Sequence, residues 1–344
     1  MHYPHYAGGF DDRQGRIMIK SIYCHTHEQT ITQLTGTEQI AELINDPERI
    51  FWLDLQQPTE QELATIAGIF HLHPLAIEDA SQEHQRPKVE EYEDFFFLVF
   101  HTVELDAMMQ ELITRELDIF VGINYLITVH TEFIRELDEV AQRWKRNGTL
   151  LDKGVGILLY SLLDTIVDRY FPVSDELVDQ AEELEDRLFA DTETVRERQL
   201  TLDLLALKKQ FLTFRRIATP ERDVLNVLTS RDSPFFSEHI ILYFRDVSDH
   251  ITRLADTLDL YRDQLSTIMD ANLSVVSNDL NKVMRTLTAM SIILMFDSLL
   301  AGIYGMNFEN MPELKWYYGY FGLLAFMAIV SILLLLYFRR LKWF

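Results

Sequence analysis

The rhythm of apolar and polar positions along this 344-residue chain changes twice. From residue 16 to about 150, short β-branched and aromatic runs stand between turn residues. The runs at 17–24, 30–34, 50–55, 95–103 and 117–129 read as strands. Thr59-Glu60-Gln61-Glu62 has the Thr-x-x-Glu form of a capping box and opens a helix to about Phe70. Pro74 suits the first turn of a short helix over 75–80. Strands interleaved with helices make 16–150 an α/β domain, and 1–15 read as a flexible tail.

From Val155 the rhythm turns helical, interrupted only by Pro172, Pro220 and Pro234 before the last loop. Runs 158–188 and 194–229 read as an antiparallel helical pair, so 151–236 is a helical hairpin. Between 237 and 306 there is no proline, and no glycine before Gly302. One helix of that length reaches on the order of 100 Å. Leu254, Leu258, Tyr261, Leu265 and Ile268 step by four and three, as on a helix packed along others. This run divides into a stalk, 237–286, and an apolar segment, 287–306. A polar loop, 307–318, leads to an uncharged run, 319–338, and a basic tail, 339–344. At ~1.5 Å per residue the uncharged run covers ~30 Å, enough to cross a hydrocarbon core. The two apolar runs read as a transmembrane hairpin.

Charge orients that hairpin. Lys282 and Arg285 precede the first run and Arg339, Arg340 and Lys342 follow the second. Lysine and arginine stay on the cytoplasmic side, so both termini are expected inside and the loop outside. Trp316, Tyr317, Tyr318, Tyr320 and Trp343 fall where interfacial aromatic belts belong. Residues 1–12 are polar and hold no apolar signal-peptide core, so the chain ahead of the first span is expected in the cytosol. The single cysteine, Cys24, fits a reducing compartment. A net charge of −23 excludes a general nucleic-acid role, because phosphate contacts need a basic surface. The acidic residues dense between 175 and 197 form either a solvated helix face or a surface that attracts cations.

Along the first span Asn281, Met284, Leu287 or Thr288, Ser291, Met295, Ser298 and Gly302 recur at three- and four-residue steps. Such a stripe serves either close helix packing or the wall of a pore built from several copies. Asp297 interrupts the apolar run, and an ionisable residue inside a membrane is a functional hypothesis. His25-x-His27 and His71-x-His73 lack a nearby Cys/His set to complete a metal site and read as turn or surface histidines. No Ser-His-Asp set or covalent nucleophile stands out, and no phosphate-binding Gly-x-x-x-x-Gly-Lys motif occurs.

Tyr304-Gly305-Met306-Asn307-Phe308, followed by Met311-Pro312-Glu313-Leu314 between the two spans, resembles the CorA family of magnesium transporters. Segments 84–94, 123–130, 244–250 and 277–281 and the tail Arg339-Arg340-Leu341-Lys342-Trp343 are similar to family segments in family order, from about residue 16 to the C-terminus. The resemblance implies an α+β/α membrane protein. Its parts are a cytosolic α/β/α domain, a long stalk helix and two C-terminal transmembrane helices, assembled as a homopentameric funnel in the cell (inner) membrane. It implies Mg²⁺ influx driven by the membrane potential, with Co²⁺ and Ni²⁺ as lesser substrates and no nucleotide.

Within that frame Gly305, Met306 and Asn307 are expected to select the ion. Mg²⁺ sheds water reluctantly, and neutral amides and carbonyls hydrogen-bond to its hydration shell. Glu309 and Glu313 raise the cation concentration at the mouth. Asn281, Ser298 and Gly302 offer polar contacts, with Ser291 on the same stripe, while Met284, Leu287 and Met295 form apolar constrictions. The resemblance also implies a regulatory Mg²⁺ between protomers, on Asp79 and Asp246 with Glu78 able to share. Phe296-Asp297 departs from the family pattern. Asp297, about 100° around the helix from Ser298, is expected to tune ion occupancy or to hydrogen-bond an adjacent helix. A Zn²⁺ or other transition-metal transporter and a membrane-anchored cytosolic sensor are the competing readings.

Overall fold

A computed structural model describes residues 19–25, 31–33, 40, 41, 44, 46, 49–82, 84–106, 111–146, 154–189, 195–230, 236–306 and 316–343. Seven strands form one sheet: β1 (Ile19–His25), β2 (Ile31–Gln33), β3 (Ile50–Gln56), β4 (Lys88–Glu91), β5 (Phe95–Asp106), β6 (Glu111–Gly122) and β7 (Tyr125–His130). Their order is β2-β1-β3-β7-β6-β5-β4, and the β3–β7 pair alone is parallel. The run 117–129, expected as one strand, is two. Gly122 is the last residue of β6, the chain turns at Ile123 and Asn124, and the missing side chain leaves room for the Tyr125 ring, 2.3 Å from where a Cβ would lie.

Alternation sorts the sheet residues onto two faces. Phe51, Leu53, Leu55, Phe95, Phe97, Val99 and Phe120 form one core with Leu63, Ile66 and Phe70 of α1 (Glu60–Phe70) and Ala76 of α2 (Pro74–Ser81). The capping box forms as expected, with the Glu62 amide on Thr59 Oγ1 and the Thr59 amide on Glu62 Oε2. On the opposite face Trp52 meets Trp144 of α3 (Arg135–Arg146) edge-on at 5.8 Å, and Phe96 stacks on Phe236 at 5.9 Å. The unit is therefore α/β/α. Helix α3 had no counterpart in the sequence reading, although Leu137, Val140 and Trp144 step by three and four and are buried.

The remaining helices are α4 (Val155–Phe189), α5 (Val195–Leu228), α6 (Glu238–Tyr304) and α7 (Gly319–Arg340). Partners run in opposite order along α4 and α5, Tyr170 meeting Glu221 and Arg187 meeting Asp203. They do so along α5 and α6 as well, with Asn226 on Ser248 and Arg215 on Asp259. Helices α4 and α6 run parallel, Tyr160 on Tyr243 and Glu185 on Gln264. The runs expected as a helical pair, 158–188 and 194–229, are α4 and α5, with Pro172 and Pro220 inside them. Each removes one backbone hydrogen bond, and buried residues on either side, Tyr170 with Leu177 and Ala218 with Val224, hold the flanking turns.

The chain divides into two compact units, Met1–Arg187 with Leu202–Leu265 and Leu188–Thr201 with Ser266–Phe344. Within the second, α6 and α7 pack antiparallel: Ser331 Oγ donates to Asp297 Oδ2 at 2.9 Å, and Thr286 Oγ1 to the Trp343 carbonyl at 2.9 Å. Phe338 stacks on Trp343 at 5.2 Å.

Core burial is expected to outweigh capping. Phe97→Ala removes a fully buried ring 4.8 Å from Phe120 and is expected to cost ~3–5 kcal/mol, against ~1 kcal/mol for Thr59→Ala. Denaturation midpoints of the two purified variants, followed by near-ultraviolet circular dichroism in detergent, check the order.

Candidate functional site

Among the described residues two helices are long and apolar enough to cross a membrane, Glu238–Tyr304 through its C-terminal part and Gly319–Arg340. Asn281, Met284, Leu287, Thr288, Ser291, Met295, Ser298 and Gly302 are all exposed in the chain. Ala289 is buried, and Ile292, Ile293, Phe296, Asp297 and Leu300 are half-buried. At about 100° per residue the exposed positions centre on one side of α6 and the covered ones on the other. The first span thus has one covered face and one that no described residue of its own chain covers.

Asp297 belongs to the covered face. It lies roughly 135° from the stripe's centre, and its Oδ2 accepts the Ser331 hydroxyl of the second span. The single chain thus shows the interhelical hydrogen bond expected as one of the two roles of Asp297. At the end of α6 the Gly305 amide donates to the Ala301 carbonyl at 2.9 Å and the Met306 amide to that of Ile303 at 3.3 Å. Asn307, Glu309 and Glu313 lie outside the described residues.

The regulatory candidates fall in different local clusters. Asp246 sits with His250 on α6 and Asp164 on α4, their ligand atoms within 4.8 Å of one another. His250 Nε2 is 4.0 Å from Asp246, and its Nδ1 is 3.9 Å from Asp168. Burial and the neighbouring Asp168 charge raise the Asp164 carboxyl above its ordinary range. Two carboxylates with one imidazole form a mixed oxygen–nitrogen donor set that fits a divalent cation. Sequence reasoning named Asp246 and missed Asp164, Asp168 and His250. The four-residue spacings 164/168 and 246/250 were visible, but not that the two helices place them together.

Asp79, half-buried on α2, accepts Lys88 Nζ at 2.5 Å. Lys88 also reaches Glu90 at 2.8 Å, and Tyr92 donates to Glu90 at 2.8 Å. Burial pulls the Lys88 ammonium down, but its bonds to Asp79 and Glu90 prevail and hold it above the usual lysine range. A cation at Asp79 therefore competes with an ammonium. Glu78 is exposed beside it. The two histidines near α1 serve turns: His71 is its left-handed C-cap, and His73 Nδ1 caps α2 by accepting the Leu75 amide. His27 lies outside the described residues.

Two further titratable groups are buried nearby in the sheet. Asp118 on β6 is pushed up to about 8, first by burial and then by the Glu116 charge. His101 on β5 is pushed down to about 4 by burial.

An α/β/α unit followed by an exposed pair of apolar helices fits a membrane protein. The family described as CorA-like Mg²⁺ transporter protein matches residues 47–340, and the chain belongs to that family, one of ion transporters and not of enzymes. The cobalt/magnesium transport protein CorA of Thermotoga maritima is 36% identical, over 81% of this chain and 78% of that protein. The cobalt/magnesium transport protein CorA of Methanocaldococcus jannaschii is 28% identical over 86% and 92%. The complete structure of the latter organism's CorA magnesium transporter matches with a TM-score of 0.79 at 25% identity, covering 94% of this chain and 98% of that one.

The Asp118 shift sets a pH dependence. Between the ordinary carboxyl value of 3.8 and about 8 the folded state keeps a proton that the unfolded state has released. Stability therefore falls as pH rises through that window, by at most ~1.4 kcal/mol per pH unit. Asp118→Asn removes this term, so its stability relative to wild type is expected to climb from pH 4 to 8 and then level off. Urea melts at several pH values in metal-free buffer measure it.

Proposed function

We propose that this chain is one protomer of a homopentameric Mg²⁺ channel of the cell (inner) membrane, with both termini cytoplasmic. Co²⁺ and Ni²⁺ are lesser substrates. The observation that carries the reading is the two-faced first span. A stripe holding Asn281, Ser291, Ser298 and Gly302 stays uncovered while the opposite face packs on the second span. One hairpin cannot enclose water, and identical stripes around an axis form a polar path. Segment 237–286 acts as the stalk, 287–306 lines the pore, 307–318 is the external loop and 319–338 is the outer span.

Conduction follows from the donors. Gly305 carbonyls and Asn307 amides, one set per copy, hydrogen-bond the water shell that Mg²⁺ retains, while Met306 packs to hold the loop. Glu309 and Glu313 concentrate cations at the entrance. Met284, Leu287 and Met295, each exposed along the stripe, close the path by dewetting. An inside-negative potential of 100 mV draws the divalent ion inward with ~4.6 kcal/mol.

Regulation uses the cytosolic carboxylates. A Mg²⁺ held by Asp246 with Asp164 and His250, or shared with Asp79 and Glu78 of a neighbouring copy, screens repulsion between protomers and holds the ring closed. Loss of the ion loosens it.

Mg²⁺ uptake into dye-loaded proteoliposomes tests conduction. Asn307→Ala is expected to slow uptake about tenfold or more, the effect of a barrier raised by ~1.4 kcal/mol. Asp297→Asn, which still accepts from Ser331, is expected to keep wild-type flux and ion preference. Equal flux for wild type and Asn307→Ala sinks the selectivity assignment. Regulation has its own readout: millimolar Mg²⁺ is expected to protect the wild type from limited proteolysis, and Asp246→Asn to lose that protection.

A further inference from the structure

A cavity of about 330 Å³ opens among the start of α1, the C-terminal end of α2 and strands β6 and β7. Three carboxylates line it, Glu60, Glu116 and Asp118, and no described lysine or arginine does. The register explains how an acid comes to lie here. Asp118 stands opposite Val99 on β5 and Val129 on β7, on the face that packs under α1 and α2. Only 5% of Asp118 is exposed, and its Oδ1 is enclosed with no hydrogen-bond partner. Lys88, the cation in its field, bonds to Asp79 and Glu90 instead. Glu116 is fixed by the amides of His84 and Gln85, at 2.7 and 3.0 Å on Oε2.

A buried carboxyl without a partner is costly unless a counter-charge or solvent reaches it, and here it faces an open polar space. Water takes about 30 Å³, so a divalent ion with six waters occupies roughly 200 Å³, within the cavity's size. Mg²⁺ keeps most of its shell and binds through few carboxylates. Gln57, Ser81, Gln82 and Thr131 around the rim hydrogen-bond such a shell.

We propose that this cavity is a cation site that holds a hydrated divalent ion, anchored by Asp118 with Glu116 and Glu60. It is separate from the Asp164–Asp246–His250 cluster and from the membrane path. The assignment of Mg²⁺ as its ion rests on the proposed conduction of Mg²⁺; the site itself does not.

The test uses the full chain in detergent, stripped with chelator and loaded with Mn²⁺. Equilibrium dialysis is expected to count one ion fewer per chain in Asp118→Asn than in wild type. An anomalous difference map from wild-type crystals soaked in Mn²⁺ is expected to show a peak in the cavity. That map decides the matter even if the variant fails to fold. An empty cavity in the map, or equal counts for a folded Asp118→Asn, overturns the proposal. A peak in a protein that conducts no Mg²⁺ supports the site and counts only against conduction.

Discussion

An apolar helix satisfies its own backbone in a membrane, but two of them cannot shield a polar stripe from lipid. That constraint organises the C-terminal third of this chain. Helix α7 covers one side of the first span, where Ala289 is buried and Asp297 holds Ser331. The side bearing Asn281, Ser291 and Ser298 stays uncovered. Serine and asparagine facing hydrocarbon are unfavourable, and water or another copy of the chain relieves them. The Asp297–Ser331 bond is the counterpart on the covered side. It satisfies one oxygen of an acid that lipid would not tolerate and ties the two spans of one chain together.

The same separation of faces shows what the sequence made legible. A period of 3.6 residues located the stripe, and the missing prolines foretold one helix from 238 to 304. Of the two roles expected for Asp297, the chain shows the hydrogen bond to an adjacent helix. Measured from Ser298, at the stripe's edge, Asp297 lies about 100° away; measured from the centre it lies nearly opposite. In the α/β unit the capping box was readable because its donors and acceptors are three residues apart. The turn at Ile123 was not, because its partner contact, the Tyr125 ring lying over Gly122, comes from the next strand. The helical pair was readable straight through Pro172 and Pro220. Local propensity marks a break, and packing between long helices overrides it.

Metal chemistry follows this division between local and spatial information. Asp246 was nameable through a motif, whereas Asp164 and Asp168 become its neighbours only because α4 and α6 run parallel at that level. Asp118 carried no motif at all. Its position is set by strand register, which places it under α1 and α2 among Val99, Val129 and Leu63. Nothing in the spacing of residues along β6 distinguishes it from a solvated strand carboxylate.

The acidic balance of the chain then takes on a specific meaning. A charge of −23 spread over solvent is a matter of solubility. Here carboxylates also gather where water is scarce, at Asp164 beside Asp168 and at Asp118 beside Glu116, and in both places burial raises a carboxyl's proton affinity. Each gathering resists folding until a proton or a cation enters. Protons and divalent ions therefore compete for the same oxygens, and the ion wins only where it keeps enough water to avoid the full cost of dehydration. For a strongly hydrated ion such as Mg²⁺ that condition is met through one or two carboxylates with the remaining waters kept, and not through a closed cage of protein oxygens.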